Sequence, residues 1–250
     1  MNDASTTPTV AAPPPAPARR PVSRQFGVLL WREWRLEWRT RETVVTTAVF
    51  AAVVVLILSF SVAENRAAAN AVVQAALLWI TFTFATTLGI GRAFARERDA
   101  GALDALLLAP LDWSLIYLAK LVSTVVFTLL AQSGTLVLFI IFFGLAPTPL
   151  QVLQIVGLMV AVTCGHVAVG LLVAGMTVGL RAREMLLPVL LFPLLIPLFL
   201  AALRSTVLIL TGGLTVIDPA GEALRWLGLI VAFDFAYLAL GVALFPHVVR

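Results

Sequence analysis

The feature that most constrains this chain is a series of six long apolar runs separated by short polar segments. Each run has the roughly 20 residues that a helix rising about 1.5 Å per residue needs to cross a hydrocarbon core of about 30 Å. A mean hydropathy of +1.03 and a hydrophobic fraction of 61% leave too little polar surface for a soluble domain. The sequence therefore predicts an all-α polytopic membrane protein with six transmembrane helices near 43–62, 70–91, 115–145, 152–180, 185–203 and 224–246.

The Lys and Arg residues are divided unequally between the two ends of these runs. Fourteen of the 17 fall on the side that would hold both termini, and the other three are Arg66, Arg204 and Arg225. Loops that stay in the cytoplasm carry an excess of Lys and Arg. The sequence therefore predicts that both termini are cytoplasmic. The net charge of +4 is spread over span ends, which is not the pattern of a nucleic-acid-binding patch.

The chain before the first run has two parts. Residues 1–23 are rich in Pro and Ala and predict a disordered tail, without the apolar core of a cleavable signal peptide. Residues 24–42 predict an interfacial amphipathic helix, and residues 43–250 the six-span domain. The helix carries two parallel stripes: Trp31, Trp34 and Trp38, and Arg32, Arg35 and Arg39. This pattern is typical of a helix in the lipid headgroup region, either a simple anchor or the elbow helix of a transporter.

The longest charged interruption is the segment Arg92–Ser114. Its leucines have the spacing of one helix face, and Asp104 falls on the opposite side. The segment therefore predicts a short amphipathic helix at the membrane surface. The residues that carry this pattern are Glu97, Gly101, Leu103, Leu106, Leu107 and Pro110. Such a helix suits docking to a soluble partner, and an ordinary polar loop between spans fits the pattern as well.

Two ionisable side chains stand out inside the apolar runs. Asp234 lies within the sixth run, where a carboxyl group costs a few kcal/mol on insertion scales and indicates either a functional group or a structural pairing. His166 lies midway along the fourth run and predicts an interhelical hydrogen bond or, alternatively, haem or metal ligation. We hypothesise that His166 and Asp234 pair across helices.

The fifth run is interrupted by three prolines, Pro188, Pro193 and Pro197. Each removes a backbone donor and predicts a kink, which serves as a hinge or is simply tolerated in a membrane helix. The following segment, 204–222, is broken by Gly212-Gly213 and is predicted to pack at the outer surface instead of spanning. In the fourth run, the spacing of Gly175 and Gly179 predicts close helix packing.

The sequence lacks the motifs of several enzyme classes. It has no G-x-x-x-x-G-K-[ST] loop, and its single lysine, Lys120, follows no glycine loop, so ATP binding in that manner is excluded. It has no H-E-x-x-H, and its one cysteine, Cys164, allows no intrachain disulfide and no cysteine-based metal site. We therefore predict a permease subunit that is not itself an enzyme, with no catalytic residue and no directly bound cofactor or metal.

The run FARERDAGALDALLLAPLDWSLIYLAKLVS resembles the loop and third-span entrance of the CcmB family, the haem-exporter membrane subunit of cytochrome c maturation. The matching features are an acidic residue ahead of a glycine, then L-x-x-L-L-L-x-P, and A-K at the span entrance. In this sequence they are Glu97, Gly101, Leu103, Leu106, Leu107, Leu108, Pro110, Ala119 and Lys120. The proline-rich fifth run and the closing AFDFAYLALGVALFP are also similar to the family. The resemblance covers residues 24–248, and the tail of residues 1–23 departs from the family's usual short N-terminus.

The resemblance implies an ABC-2-type permease architecture in the bacterial inner membrane. The 92–114 loop would be the coupling helix that docks on a cytoplasmic ATPase, and the Trp/Arg helix would be the elbow helix. It also implies two copies of this chain together with a CcmA-type ATPase, CcmC-type and CcmD-type membrane subunits, and the haem chaperone CcmE. ATP on the partner subunit would move the coupling helix, and this movement would export haem, the expected substrate, or release haem-loaded chaperone. The tryptophan-rich haem motif of CcmC is absent here, which implies that haem contacts lie mainly on another subunit.

Two other functions are compatible with the sequence. One is an ABC-2 permease that exports a drug, a lipid or a polysaccharide, although the proline-rich fifth run and the lack of a large outer domain favour the haem-related function. The other is a membrane scaffold that transports nothing. A scaffold would leave ATP turnover by any partner independent of the 92–114 helix.

Overall fold

The computed structural model describes residues 22–63, 70–99, 113–177, 183–212 and 221–248. These residues form seven α-helices, with no strand among them. The helices are α1 (Val22–Thr40), α2 (Glu42–Ala63), α3 (Ala71–Asp99), α4 (Trp113–Phe143), α5 (Pro149–Thr177), α6 (Arg183–Leu210) and α7 (Glu222–Val248). Helix α1 begins at Val22, two residues before the predicted start of the amphipathic helix at residue 24. Residues 1–21 and the leucines of the predicted coupling helix lie outside the described residues.

Six of these helices, α2 to α7, are long and apolar enough to cross a membrane. Their candidate spans are Val44–Val62, Ala71–Gly91, Trp113–Phe143, Pro149–Thr177, Met185–Leu210 and Glu222–His247. Five of the six agree with the predicted runs to within about three residues at each end. The prediction of an all-α, six-span membrane protein with a preceding amphipathic helix is confirmed.

Two predicted boundaries need correction. Helix α3 does not end with the second apolar run but continues to Asp99, so residues 92–99 of the predicted 92–114 segment, Glu97 among them, belong to α3. Residues 100–112 lie outside the described residues. Helix α6 continues to Leu210, beyond the predicted end at residue 203. The reason is local: no Gly or Pro occurs between Pro197 and Gly212, so nothing stops the helix earlier.

Side-chain caps explain where α3 and α5 begin. The Oδ1 atom of Asn70 accepts a hydrogen bond from the Val73 backbone N–H at 3.0 Å, which is N-capping of α3. At the start of α5, the Gln151 N–H donates to Thr148 Oγ1 at 3.3 Å, and the Thr148 N–H donates to Gln151 Oε1 at 2.8 Å. This reciprocal capping box, with Pro149 in the first helical position, starts α5 immediately after α4 has ended.

A single residue, Arg41, joins α1 to α2. Its φ of 51° places it in the left-handed region, which is uncommon for a residue with a Cβ atom. Its N–H donates to Glu37 O at 2.7 Å and closes α1, while its carbonyl accepts the Val45 N–H at 3.0 Å and opens α2. The chain therefore turns from the amphipathic helix into the first span without a loop.

Helix α5 occupies the centre of the bundle. It packs against α3, α4, α6 and α7 and is the most deeply buried of the six candidate spans. Its buried residues cover all sides of the helix in the second half, from Gly165 to Gly175. A helix that is apolar and buried all round belongs in the core, and the other spans surround it.

Glycines mark the closest helix contacts. A Cβ atom at Gly170 on α5 would meet Ile90 of α3, and one at Gly165 would meet the Asp234 carboxyl group of α7. On α7, a Cβ atom at Gly241 would collide with the ring and hydroxyl of Tyr117 on α4. Glycine therefore permits close packing at Gly165 and Gly170. The contact predicted from the spacing of Gly175 and Gly179 stays a prediction, because Gly179 lies outside the described residues.

The prolines of α6 avoid its packed side. The buried face is formed by Leu187, Leu191, Leu195, Leu198, Ala202 and Ile209. Pro193 and Pro197 are exposed on the other side, and Pro188 is half-buried. The helix is continuous through all three positions, and the predicted kinks stay a prediction.

We predict that Gly241→Ala destabilises the protein, since the added methyl group would overpack the rigid Tyr117 ring and cost about 1–3 kcal/mol. The measurement is the melting temperature of the purified protein, which should fall by several degrees. Gly228→Ala on the same helix is the matched control, because nothing lies within 4 Å of a Cβ atom there. Equal melting temperatures for the two variants would contradict the close α4–α7 contact.

Candidate functional site in the centre of the helix bundle

A buried amide joins three spans near the middle of the bundle. The Nε2 atom of Gln132 on α4 donates to Thr86 Oγ1 of α3 at 3.1 Å. Its Oε1 atom accepts a hydrogen bond from Thr163 Oγ1 of α5 at 2.9 Å. All three side chains are buried. We call this set, Gln132, Thr86 and Thr163, the amide cluster, and it binds α3, α4 and α5 at one height.

His166 lies beside this cluster and faces α3 and α6. Its Nε2 atom is 3.2 Å from the hydroxyl of Thr87, and its ring meets Phe199 edge-on at 5.7 Å between centroids. The side chain is only 3% exposed. These contacts agree with the predicted interhelical hydrogen bond. No group of three His, Cys, Asp or Glu side chains that could hold a metal ion occurs in the described part of the chain.

Asp234 lies on a different side of α5. Its carboxyl group packs directly against Gly165, and its buried Oδ1 atom has no hydrogen-bond partner among the described residues. The hypothesis that His166 and Asp234 pair is therefore wrong. Gly165 and His166 are consecutive on a helix with 3.6 residues per turn, so they point about 100° apart, one toward α7 and the other toward α3 and α6.

Further hydrogen bonds join the spans outside the amide cluster. The Tyr117 hydroxyl of α4 donates to the Ala168 carbonyl of α5 at 3.1 Å. The indole N–H of Trp79 on α3 donates to Thr206 Oγ1 of α6 at 2.8 Å. Because lipid offers no partner for such groups, each bond fixes the rotation of one helix against its neighbour.

Helix α1 is attached to the beginning of α4. Leu29 packs against Ile116 and Ala119, and one turn further on the Nζ atom of Lys120 lies 3.6 Å from Glu33 Oε2. The Lys120 side chain is 5% exposed and that of Glu33 is 17% exposed. Since the contacts advance in the same order along both helices, α1 and the first half of α4 run in the same direction.

The tryptophans of α1 differ in their contacts. The rings of Trp34 and Trp38 both meet Phe127 of α4 edge-on at 6.3 Å between centroids. Trp31 is 61% exposed, and the Arg35 guanidinium lies over its ring at 4.9 Å. The helix therefore binds α4 through part of its tryptophan stripe. Its contact with lipid headgroups stays a prediction.

An apolar groove of about 320 Å³ separates α3 from α6 on the outer surface. It is lined mainly by aromatic and branched side chains, including Phe84 and Phe192, which meet edge-on at 5.2 Å. The polar Thr83 in its wall donates to its own helix, at Trp79 O. His166 lies behind Phe199 and is not part of the lining. The groove therefore offers apolar contact without a group that would select a particular ligand.

Two parts of this arrangement were missed by sequence reasoning. The pairing of Glu33 with Lys120 could have been suspected, because the only lysine of the chain lies near the start of the third span and acidic residues occur in α1. The amide cluster also had a signal, since Gln132 and Thr86 are polar side chains inside apolar runs, and such groups need internal partners. Neither signal indicates which helices meet.

These observations define a class: a multi-pass membrane protein with six spans around a hydrogen-bonded centre and an amphipathic helix attached to the third span. The chain belongs to the CcmB protein family, whose sequence pattern matches residues 24–250. It is also similar to the heme exporter protein B of Pseudomonas aeruginosa, with 27% identity over 225 residues. That match covers 89% of this chain and 96% of the relative. The resemblance inferred from the loop and the fifth span is confirmed.

We predict that Lys120→Met loosens α1, because it leaves the largely enclosed Glu33 carboxylate without this cation. Removing one member of a buried pair costs about 3–5 kcal/mol, and the residual exposure of Glu33 places the expected loss near the lower limit. Trypsin cleavage at Arg35 and Arg39 should then be faster, and Lys120→Arg should restore slow cleavage. Unchanged cleavage in Lys120→Met would show that the ion pair does not hold α1.

We also predict that His166 is energetically coupled to Thr87 and not to Asp234. Double-mutant cycles with His166→Leu, Thr87→Val and Asp234→Leu, read from the free energy of unfolding in detergent, measure both couplings. The His166–Thr87 cycle should give about 0.6 kcal/mol, typical of interhelical bonds in membranes. A larger coupling between His166 and Asp234 would contradict the structure.

Proposed function

We propose that this chain is the membrane subunit of an ABC transporter complex for c-type cytochrome biogenesis. It would couple ATP hydrolysis by a separate ATPase to haem export or to release of a haem-loaded chaperone. The observation that carries this proposal is the CcmB family match over residues 24–250, together with a relative of nearly equal length named heme exporter protein B. The six candidate spans agree with the role of a permease subunit.

We propose that the ATPase is a separate protein, and the absence of a phosphate-binding loop from this sequence supports this. We propose that it docks on residues 100–112, between α3 and α4. These helices contain 29 and 31 residues, so they extend about 44 and about 46 Å, well beyond a hydrocarbon core of about 30 Å. Both can therefore project toward the docking segment as continuous rods.

The contacts of α3 and α4 suggest how movement at residues 100–112 would travel. Gln132 on α4 is bonded to Thr86 on α3, and both are tied to the central helix α5 through the same amide cluster. Helix α1 braces the beginning of α4 through Lys120 and Glu33. A push on the docking segment would then shift these helices together, because packed helices slide or rotate as units.

The excess of Lys and Arg supports a location of both termini and the docking segment in the cytoplasm, with the chain in the bacterial inner membrane. The proposed partners are a CcmA-type ATPase, CcmC-type and CcmD-type membrane subunits, the chaperone CcmE and a second copy of this chain. Haem is substrate in this proposal. His166, the histidine in the middle of a span, is enclosed and directed at Thr87, which supports haem contact on another subunit.

We predict that Leu103→Asp and Leu106→Asp detach the ATPase or uncouple its turnover, because a carboxylate on the apolar face of the docking helix cannot be buried without a partner. The measurements are co-purification of the ATPase and its ATP turnover in membranes. The matched control is Asp104→Asn, on the opposite side of the same segment, which should leave both unchanged. Unaltered assembly and turnover in the Leu103 and Leu106 variants would support the non-transporting scaffold instead.

A further inference from the structure

Helix α7 is the least covered of the six candidate spans. Its outward surface is almost entirely apolar, with exposed side chains Leu224, Leu229, Val231, Phe235, Leu240 and Leu244. Asp234 is the only charged residue between Leu229 and Leu244. It follows Glu222 by 12 residues, or about 18 Å of helix, and so lies near the middle of the bilayer.

The Asp234 carboxyl group is incompletely satisfied. Its Oδ1 atom is buried against Gly165 without a hydrogen-bond partner among the described residues. The residue as a whole is only half-buried, and Oδ1 is the carboxyl oxygen that is enclosed, so Oδ2 is the atom that remains within reach of a partner from outside the bundle. A charged side chain at the centre of a span is costly to insert, and such residues usually face another helix or a cavity.

We infer that the seam between α5 and α7 at Asp234 is the docking site for a transmembrane helix of a different membrane subunit, which presents a hydrogen-bond-donating side chain to the Asp234 carboxyl group. We call this surface, formed by Asp234 and Tyr237 where α7 packs on Gly165 of α5, the Asp234 seam. Its carboxyl group suits interhelical hydrogen bonding, one of the ways in which membrane helices associate.

Tyr237 extends the same surface by one turn. It follows Asp234 at i+3, is half-buried, and packs on Phe233 with 4.4 Å between ring centroids. The partner helix would therefore meet a carboxyl group and a phenol on one side of α7. The neighbouring Phe235, which is 76% exposed, points away from the seam and toward lipid.

Charge favours a different subunit over a second copy of this chain. The amide of Gln132 and the imidazole of His166 are buried and engaged inside their own bundle. The outward hydroxyl of Ser133 donates to its own helix at Leu129 O. The phenol of Tyr237 is the donor that a second copy could present at this height. A two-fold contact through it would bring the two Asp234 carboxyl groups within about one helical turn of each other, where two carboxylates repel and one would have to be protonated.

The experiment uses the complete complex in native membranes, with the photo-reactive residue p-benzoylphenylalanine in place of Tyr237. The matched control carries it in place of Phe235, two positions away on the lipid-facing side. Illumination at position 237 should give an adduct with a membrane subunit of different mass, and the cross-linked peptide should be a transmembrane segment that contains a Lys, Arg, His, Ser, Thr or Tyr. Position 235 should not give this adduct.

Adding Asp234→Leu should reduce the adduct at position 237 at least fivefold while the protein still elutes as a folded species in gel filtration. Asp234→Lys should lower co-purification of that subunit at least tenfold. When the donor residue of the partner subunit is also replaced by Asp or Glu, the exchanged charges should restore co-purification. An adduct with the mass of two copies of this chain would overturn the inference. So would an adduct that is unaffected by Asp234→Leu, or no protein adduct at position 237.

This inference rests on the part of the proposed function that places the chain in a complex with other membrane subunits. Different results would contradict the inference and the proposed function. Normal c-type cytochromes in cells that lack the chain would end the proposed function, whatever the cross-linking shows. Normal cytochromes in the Asp234→Leu and Asp234→Lys variants, with unchanged co-purification, would end the Asp234 seam and leave the proposed function intact.

Discussion

One buried amide, that of Gln132, fixes the centre of this protein. No water completes an unmet hydrogen bond inside a bilayer, so an amide on α4 is stable only where neighbouring helices supply its partners. Thr86 and Thr163 do so from α3 and α5, and three spans are thereby set at one height and rotation. The close contact of α5 with α3 agrees with this arrangement, because helices held so near each other leave no room for a side chain at Gly170, opposite Ile90.

The hydrogen bonds of the amide cluster also connect the centre of the bundle to the end where α1 packs against the beginning of α4. Helices α3 and α4 flank residues 100–112, continue past the thickness of a bilayer, and meet in the amide cluster. Helix α1 is held on α4 by Lys120 and by aromatic contacts with Phe127. A protein that binds residues 100–112 would therefore act on continuous helices that reach the core, which is what a permease subunit without its own ATP site requires.

The number, type and approximate ends of the helices could be predicted from the sequence, because run length and hydropathy measure the fit to a bilayer directly. The α1 helix was likewise readable from its Trp and Arg periodicity. The hydrogen-bond partners of the intramembrane polar groups could not be predicted from the sequence. Depth along a run places His166 and Asp234 at similar heights, but a contact depends on which face of which neighbour each side chain meets. The one-residue step from Gly165 to His166 turns the helix by about 100° and separates them.

The central claim is that this chain serves c-type cytochrome biogenesis as a membrane subunit, and haem staining tests it most directly. The membrane proteins of cells with the gene deleted are separated on a denaturing gel and stained for covalently bound haem. The same is done for deletion cells in which the intact chain has been restored. The account predicts that all haem-bearing c-type bands disappear in the deletion strain and return with the intact chain. Normal bands in the deletion strain, in cells that have no duplicate system, would contradict it.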